Sequence, residues 1–393
     1  MIKRIASACV TLALLGPTCA ASAQQQSVSD VLTFLVTNQS VATGDFERDR
    51  AAAVATSDTI SRALLASLAT LPITTSSGAF VYRLNPQLGT VERATRSFGP
   101  FFLERALPTG AGQASFGLTF QHMRFTSLDG HELRDGSLVT TANQFVDEAA
   151  PFDVDQLILD IDASVTALHG NFGVTDSLDV GFVAPLVTLR LNGSRVNTYR
   201  GSAFTQANAS ATSTGLADVV VRTKYTLFDE DGAGLAAAVD LRLPTGKRED
   251  LLGAGSTSVR FLGIGSIDRG SVSGHANLGL SFGGLARELS YGAAAAFAVS
   301  DHLTVTGELL GRWIDSPGGI VPVSADTPNL IGVKSIRLLP DSSSLNVMTL
   351  VPGVKWNLSD TWVLAGSVSI PLTTAGLTSP FTPFIGLDYT LGK

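Results

Sequence analysis

Along most of the chain, polar and apolar residues alternate with a period of two instead of recurring at helical spacing. From His302 to Trp313 the odd positions Leu303, Val305, Leu309 and Trp313 are apolar, and the even positions include Thr304, Thr306, Glu308 and Arg312. This is the signature of a strand with one apolar and one polar face. The same split opposes Val219, Val221, Tyr225 and Leu227 to Arg222 and Lys224, and Ala237, Val239 and Leu241 to Asp240 and Arg242. It recurs where Leu159, Ile161 and Val165 oppose Asp160 and Asp162. Strands are predicted near 112–127, 155–172, 177–192, 216–228, 234–243, 256–267, 271–282, 288–300, 302–314, 345–358, 361–371 and 383–393. That makes about twelve, each of the roughly ten residues a tilted strand needs to cross a hydrocarbon layer.

Three joints between these strands share a motif: "FGVTDSLDV" at Phe172, "FAVSDHLTV" at Phe297 and "WNLSDTWVL" at Trp356. In each, an aromatic and a Val or Leu end one strand, and Ser/Thr-Asp turns the chain by side-chain hydrogen bonding to its own backbone. Phe172, Phe297 and Trp356 then fall at strand ends, where an interfacial aromatic girdle belongs. Short turns at 229–234 and 268–270 join the same rim, and the connections 128–154, 193–215, 244–255, 315–344 and 372–382 fall on the other. Outer-membrane barrels alternate short periplasmic turns with longer external loops in this way. The connection Gly283–Arg287 is the exception, short on the long-loop side.

The start of the chain agrees with export. Lys3 and Arg4, the apolar run Ile5–Gly16 and the small-residue site "ASAQ" at Ala21 read as a signal peptide over residues 1–23. Cys9 and Cys19 both lie inside it, so the exported chain is expected to have no disulfide or thiol chemistry. Loss of Lys3 and Arg4 takes the formal charge from −7 to −9, which argues against nucleic acid as a partner. No later apolar run is long enough for a membrane helix, so the chain is either soluble, as a large β-sandwich with the same alternation, or a membrane barrel. Export, strand length and an apolar face on every strand together favour the barrel.

Residues 24–111 read differently. Ile60, Leu64, Leu65 and Leu68 recur at helical spacing, helices are predicted over 27–36 and 45–71, and a hairpin-like piece follows at 78–94. The expected fold is an all-β, antiparallel transmembrane β-barrel of about twelve strands over 112–393. A small, partly helical N-terminal plug, or a segment capping the periplasmic mouth, precedes it. The alternative is that 24–111 adds two wall strands, giving fourteen.

The stretches "FGPFFLERALPTGAGQASFGLTF", "GVTDSLDVGFVAPLV", "GLADVVVRTKYTLFD" and "LRLPTGKREDLLGAGSTSVR" resemble a family of bacterial outer-membrane proteins assigned as transporters of the meta-cleavage phenol-degradation pathway, distantly similar to long-chain fatty-acid channels. The resemblance covers nearly all of the chain after the signal. It implies passive uptake of small hydrophobic or aromatic compounds through a plugged barrel in the outer membrane of a Gram-negative bacterium. Outer-membrane lipid, a small hydrophobic solute and the barrel-assembly machinery are the partners it implies. One departure is the end of the chain, "LDYTLGK", which finishes on Lys393 where such proteins often end on an aromatic.

Candidate chemistry is sparse. His122, His131, His169, His275 and His302 form no HExxH or HxH pattern, and there is no GxSxG elbow or phosphate-binding GxxxxGK[ST]. "GAGLAA" at Gly232 continues as a strand, not as the helix a dinucleotide site needs. No catalytic, cofactor-binding or metal residue is assigned. The competing readings are a non-conducting structural or surface-interaction barrel, and a hydrolase assembled from His131, Asp135 and a loop serine or from His302. The charges expected to point into the lumen are Asp160, Asp162, Arg222, Lys224, Asp240, Arg242, Arg260, Glu308, Arg312, Lys355 and Asp388. Paired across strands, they would satisfy one another and hold a plug; their mixed signs imply weak ion selectivity. Phe98, Phe101 and Phe102 are the candidate lining for a hydrophobic solute.

Overall fold

The computed structural model describes residues 26–37, 40–69, 82–85, 90–315, 319–327, 330–341, 343–359 and 361–391. The expected signal peptide with Cys9 and Cys19, and the chain end at Lys393, lie outside the described residues.

Twelve antiparallel strands form the wall: β1 (Ala114–Phe125), β2 (Asp153–Gly173), β3 (Leu178–Tyr199), β4 (Val219–Glu230), β5 (Ala233–Leu243) and β6 (Ser258–Arg269), then β7 (Val272–Gly283), β8 (Glu288–Ala298), β9 (Leu303–Ile314), β10 (Leu345–Ser359), β11 (Trp362–Pro371) and β12 (Thr382–Leu391). Each pairs with the next, and β12 returns to β1 with Leu391 opposite Ala114, so the sheet closes. Closure leaves no unpaired edge, which is what allows strands to stand in a hydrocarbon layer. The hairpin Tyr82–Asn85 with Thr90–Arg93 is a separate two-stranded sheet outside the wall. The fourteen-strand alternative therefore falls.

The turn motif does what its residues dictate. The Thr175 hydroxyl accepts from the N–H groups of Ser177 (3.2 Å) and Leu178 (3.0 Å), and the Ser300 hydroxyl from His302 N–H (3.3 Å). The hydroxyl residue, not the aspartate, makes these bonds, and Asp360 of the third copy lies outside the described residues. Phe172, Phe297 and Trp356 all point outward and are exposed on the surface that meets lipid.

Strand parity is uniform on most of the wall. On β4, Arg222, Lys224 and Thr226 are buried inside while Tyr225 and Leu227 face out; β5 opposes inward Ala236, Ala238 and Asp240 to outward Leu235, Val239 and Leu241. A closed, even-stranded barrel with an apolar outer face is a bacterial outer-membrane barrel, and its place is the outer membrane of a Gram-negative cell. The rim of short turns is then periplasmic and the rim of long connections external.

The long connections are more structured than their sequences suggest. Where 193–215 reads as a linker, β3 runs on to Tyr199 and pairs with a further strand, Ser202–Leu216. Strands Leu138–Phe145, Ile320–Asp326 and Val333–Pro340 extend the sheet beside the top of β2.

Two helices, α1 (Val28–Thr37) and α2 (Phe46–Ala69), precede the wall. Val28, Leu32 and Leu35 of α1 and Ile60 and Leu64 of α2 are fully buried, in one cluster with Leu157, Leu159 and Ile161 of β2 and Leu189 and Leu191 of β3. These are residues of the external ends of those strands. The helical part of 24–111 therefore occupies the external mouth, and the later part of the same segment reaches the periplasmic turns at Asp301 and Asp176. The reason is hydrophobic. The upper inner face of β1–β3 is apolar and needs an apolar cover, which the lower lumen does not offer.

Candidate functional site

The lower lumen is filled by a segment that enters from the periplasmic side. At the periplasmic rim, Arg96 pairs with Asp301 of the β8–β9 turn at 3.1 Å. The irregular segment Ser97–Thr109 then rises into the barrel and returns, reaching the periplasmic turn again where Ala111 N–H meets Asp176. Gly99, at φ +56, makes the bend that lets the Arg105 side chain lie directly against its α-carbon, where a Cβ would collide.

An irregular backbone away from water must find partners for its amides, and here the inward wall residues supply them. The Glu308 carboxylate accepts from three consecutive N–H groups, those of Phe101, Phe102 (3.0 Å) and Leu103 (3.2 Å). Lys224 donates to the carbonyls of Leu107 (2.8 Å) and Arg105 (3.2 Å), and Lys355 to that of Pro100 (2.7 Å). Asn277 takes the Glu104 N–H and returns a bond to the Glu104 carbonyl at 3.1 Å; Ser266 takes the Ala106 N–H at 2.9 Å, and Asp179 the Thr109 N–H at 3.0 Å. Room is made by small inward residues. A Cβ on Gly353 would strike Phe101, and one on Gly292 would strike Leu103.

Above this segment, on the side formed by β4–β9, lies a cavity of about 190 Å³. Phe102, Leu103 and Glu104 form its floor, and Arg62 and Ala66 of α2 reach it from above. Its external rim is the short connection Gly283–Ala286, so the exception to loop alternation lies beside the cavity. Apolar lining comes from Leu262, Leu310 and Ile314, with Tyr291 beside them. The charged lining is a network: Arg222 bridges Glu104 and Asp240 (2.8 Å), Arg260 shares Asp240 (2.8 Å), and Arg312 forks onto Glu288 (2.9 and 2.6 Å). Arg242 completes it.

Of the charges expected in the lumen, Arg222, Lys224, Asp240, Arg242, Arg260, Glu308, Arg312 and Lys355 are there, and Asp388 accepts from His169 at 2.9 Å. Asp160 and Asp162 are not, and that expectation is corrected. Both lie on the outward face, paired with Arg124, and Asp160 also with Arg134. The inward positions between them belong to Leu159 and Ile161, which are fully buried. Phe98 is fully buried near the periplasmic rim under Arg93, away from the cavity. Phe101 and Phe102 pack edge-on against the inward Phe384 at 5.6 and 5.3 Å, and of the three only Phe102 borders the cavity. Phe384 and Glu288 sit at inward strand positions and were legible by parity; Arg62, on a helix, carried no such signal. His131 stands in an external two-residue strand and His302 in a periplasmic turn, and Asp135 binds its own loop at Ser137 N–H.

These features define an outer-membrane β-barrel whose lumen holds a tethered segment below and an amphipathic cavity above. Among solved structures, the chain is similar to an outer membrane channel from Pseudomonas putida F1, at 15% identity and TM-score 0.45, over 72% of this chain and 96% of that one. It is also similar to the NanC porin (8%, TM-score 0.36, 69% and 100%) and to the toluene transporter TodX of P. putida (8%, TM-score 0.32, 72% and 90%). No family model matches the chain. None of the curated proteins matches it. Likeness this distant carries neither a residue's role nor a solute from those proteins to this one.

Proposed function

We propose that the protein is an outer-membrane channel for passive uptake of small hydrophobic or aromatic compounds, of the kind the resemblance to meta-pathway transporters implies. Residues 97–109 act as its plug and 112–393 as its conduit. The observation that carries this reading is the cavity: it lies inside the wall, beside the shortest external connection, with Phe102 and Leu103 beneath it and aliphatic side chains opposite an arginine–carboxylate network. Such a lining suits a solute with an apolar body and one polar handle. Lysines and a glutamate that grip the plug by its backbone leave the plug's own side chains, Phe102 among them, to face the solute. Entry of a radiolabelled aromatic solute into Gram-negative cells carrying the protein, against cells lacking it, tests the proposal. Faster entry is expected; equal entry, also after deletion of residues 97–109, would instead favour a non-conducting barrel.

A further inference from the structure

Five guanidinium groups border the cavity, those of Arg62, Arg222, Arg242, Arg260 and Arg312, against three carboxylates, Glu104, Asp240 and Glu288. The carboxylates are already engaged: Arg222 holds Glu104, Arg222 and Arg260 hold Asp240, and Arg312 takes Glu288 through both oxygens. The lining therefore carries two cations more than anions, of which Arg242 is offset by the buried Asp218 beside it, leaving Arg62. Arg62, entering from α2, is exposed, makes no hydrogen bond or ion pair with another described residue, and lines the same cavity as Phe102.

We propose that this cavity binds a small monoanion with an apolar body, an aromatic or short alkyl carboxylate. The carboxylate would lie against Arg62 and the arginine network and the ring against Phe102, Leu310 and Ile314. Guanidinium groups match a carboxylate with two parallel N–H donors. A volume of about 190 Å³ is below the roughly 300–1,000 Å³ of pockets for drug-sized ligands, so it limits the occupant to about one substituted ring. The assignment rests on the uptake reading for how the anion arrives, but the binding itself can be measured alone.

The test is titration calorimetry on the full chain in lipid nanodiscs with benzoate, benzyl alcohol and benzylammonium. Benzoate is expected to bind saturably and about tenfold or more tighter than benzyl alcohol, the worth of one charge-assisted hydrogen bond. Arg62→Gln is expected to weaken benzoate several-fold and leave benzyl alcohol unchanged, with Arg62→Lys recovering part of the loss. Benzoate no tighter than benzyl alcohol, or unaffected by Arg62→Gln, overturns the site. If cells carrying the protein still take up benzyl alcohol faster in that event, the uptake reading stands without it. Tight benzoate binding with no gain in entry of either solute supports the site and removes the uptake reading.

Discussion

The lower and upper parts of β1–β3 obey opposite rules on the same strands. Low on β3, Val180, Phe182 and Leu186 face outward and Asp179 faces in; higher up, Val187, Leu189 and Leu191 are fully buried inside while Arg190 and Asn192 face out. On β1 the outward Phe116, Leu118 and Phe120 give way to Arg124, as the inward Ser115, Thr119 and Gln121 give way to Met123 and Phe125. On β2, Phe172 and Leu168 face out below, Asp162 and Asp160 above. Strand parity never changes; the surroundings do. The lower barrel meets hydrocarbon outside and a polar segment inside, whereas the upper extension meets water outside and two helices inside, like a soluble sheet packed on helices. The two regions differ by solvent, and the residue pattern switches face where the solvent does.

That comparison can be broken at several points. The largest effect is expected at Arg195, which sits in the upper interior with no exposure, donates to the Leu35 and Val36 carbonyls (2.9 and 2.7 Å) and pairs with Asp155 at 3.2 Å. Arg195→Leu takes the cation from buried Asp155, which keeps hydrogen bonds from Ser40, Val41 and Asn197, and should cost about 3–5 kcal/mol. Protease sensitivity in 28–69 should appear before the wall unfolds, and simultaneous loss of both would mean that the helices and wall form one cooperative unit. Next, a charge on the outward face should be costly low and harmless high. Val239→Arg is expected to destabilise by roughly 2–4 kcal/mol and Asn192→Arg by about 0.5 or less, measured by urea unfolding in lipid. Equal costs would place both in the same medium and dissolve the distinction.

A smaller effect is expected in the lower interior. Glu308→Gln keeps the shape but weakens acceptance from three amides, at a cost of about 1–3 kcal/mol, concentrated on the plug. Single-channel recording should show more frequent or larger openings while heat-modifiability of the wall is kept; unchanged conductance would mean that Glu308 does not hold the plug shut. Smallest should be Arg124→Ala, whose outward side chain is 60% exposed and 3.9 Å from each of Asp160 and Asp162. Well under about 1 kcal/mol is expected, and a larger loss in thermal melting would show that this outer-face network is sheltered.

The twelve wall strands were legible because period-two alternation is local: it needs only each residue and its neighbours. The inward charges of β4–β10 followed from the same parity. Asp160 and Asp162 misled because parity states which residues share a face, not which face is inside. In a chain read as a membrane barrel, Leu159, Ile161 and Val165 look outward. The clue was available within β3, where the large apolar residues stand mainly at even positions up to Leu186 and at the odd positions 187, 189 and 191 beyond it. A strand that changes phase without a bulge has crossed from one solvent to another.

What the sequence determined by itself, then, is the wall: the number of strands, their turns, the alternation and the aromatic ends, all consequences of side-chain chemistry read a few residues at a time. The tertiary structure decided what fills that wall. The helices stand in the external mouth because the apolar upper faces of three strands converge there only after closure. Residues 97–109 lie in the lumen because Lys224, Asn277, Glu308 and Lys355, more than a hundred positions downstream, offer their irregular backbone its hydrogen bonds. Arg62 meets Arg242 and Arg312 at one cavity for the same reason: long-range proximity is a property of the closed sheet, and no local pattern in the chain encodes it.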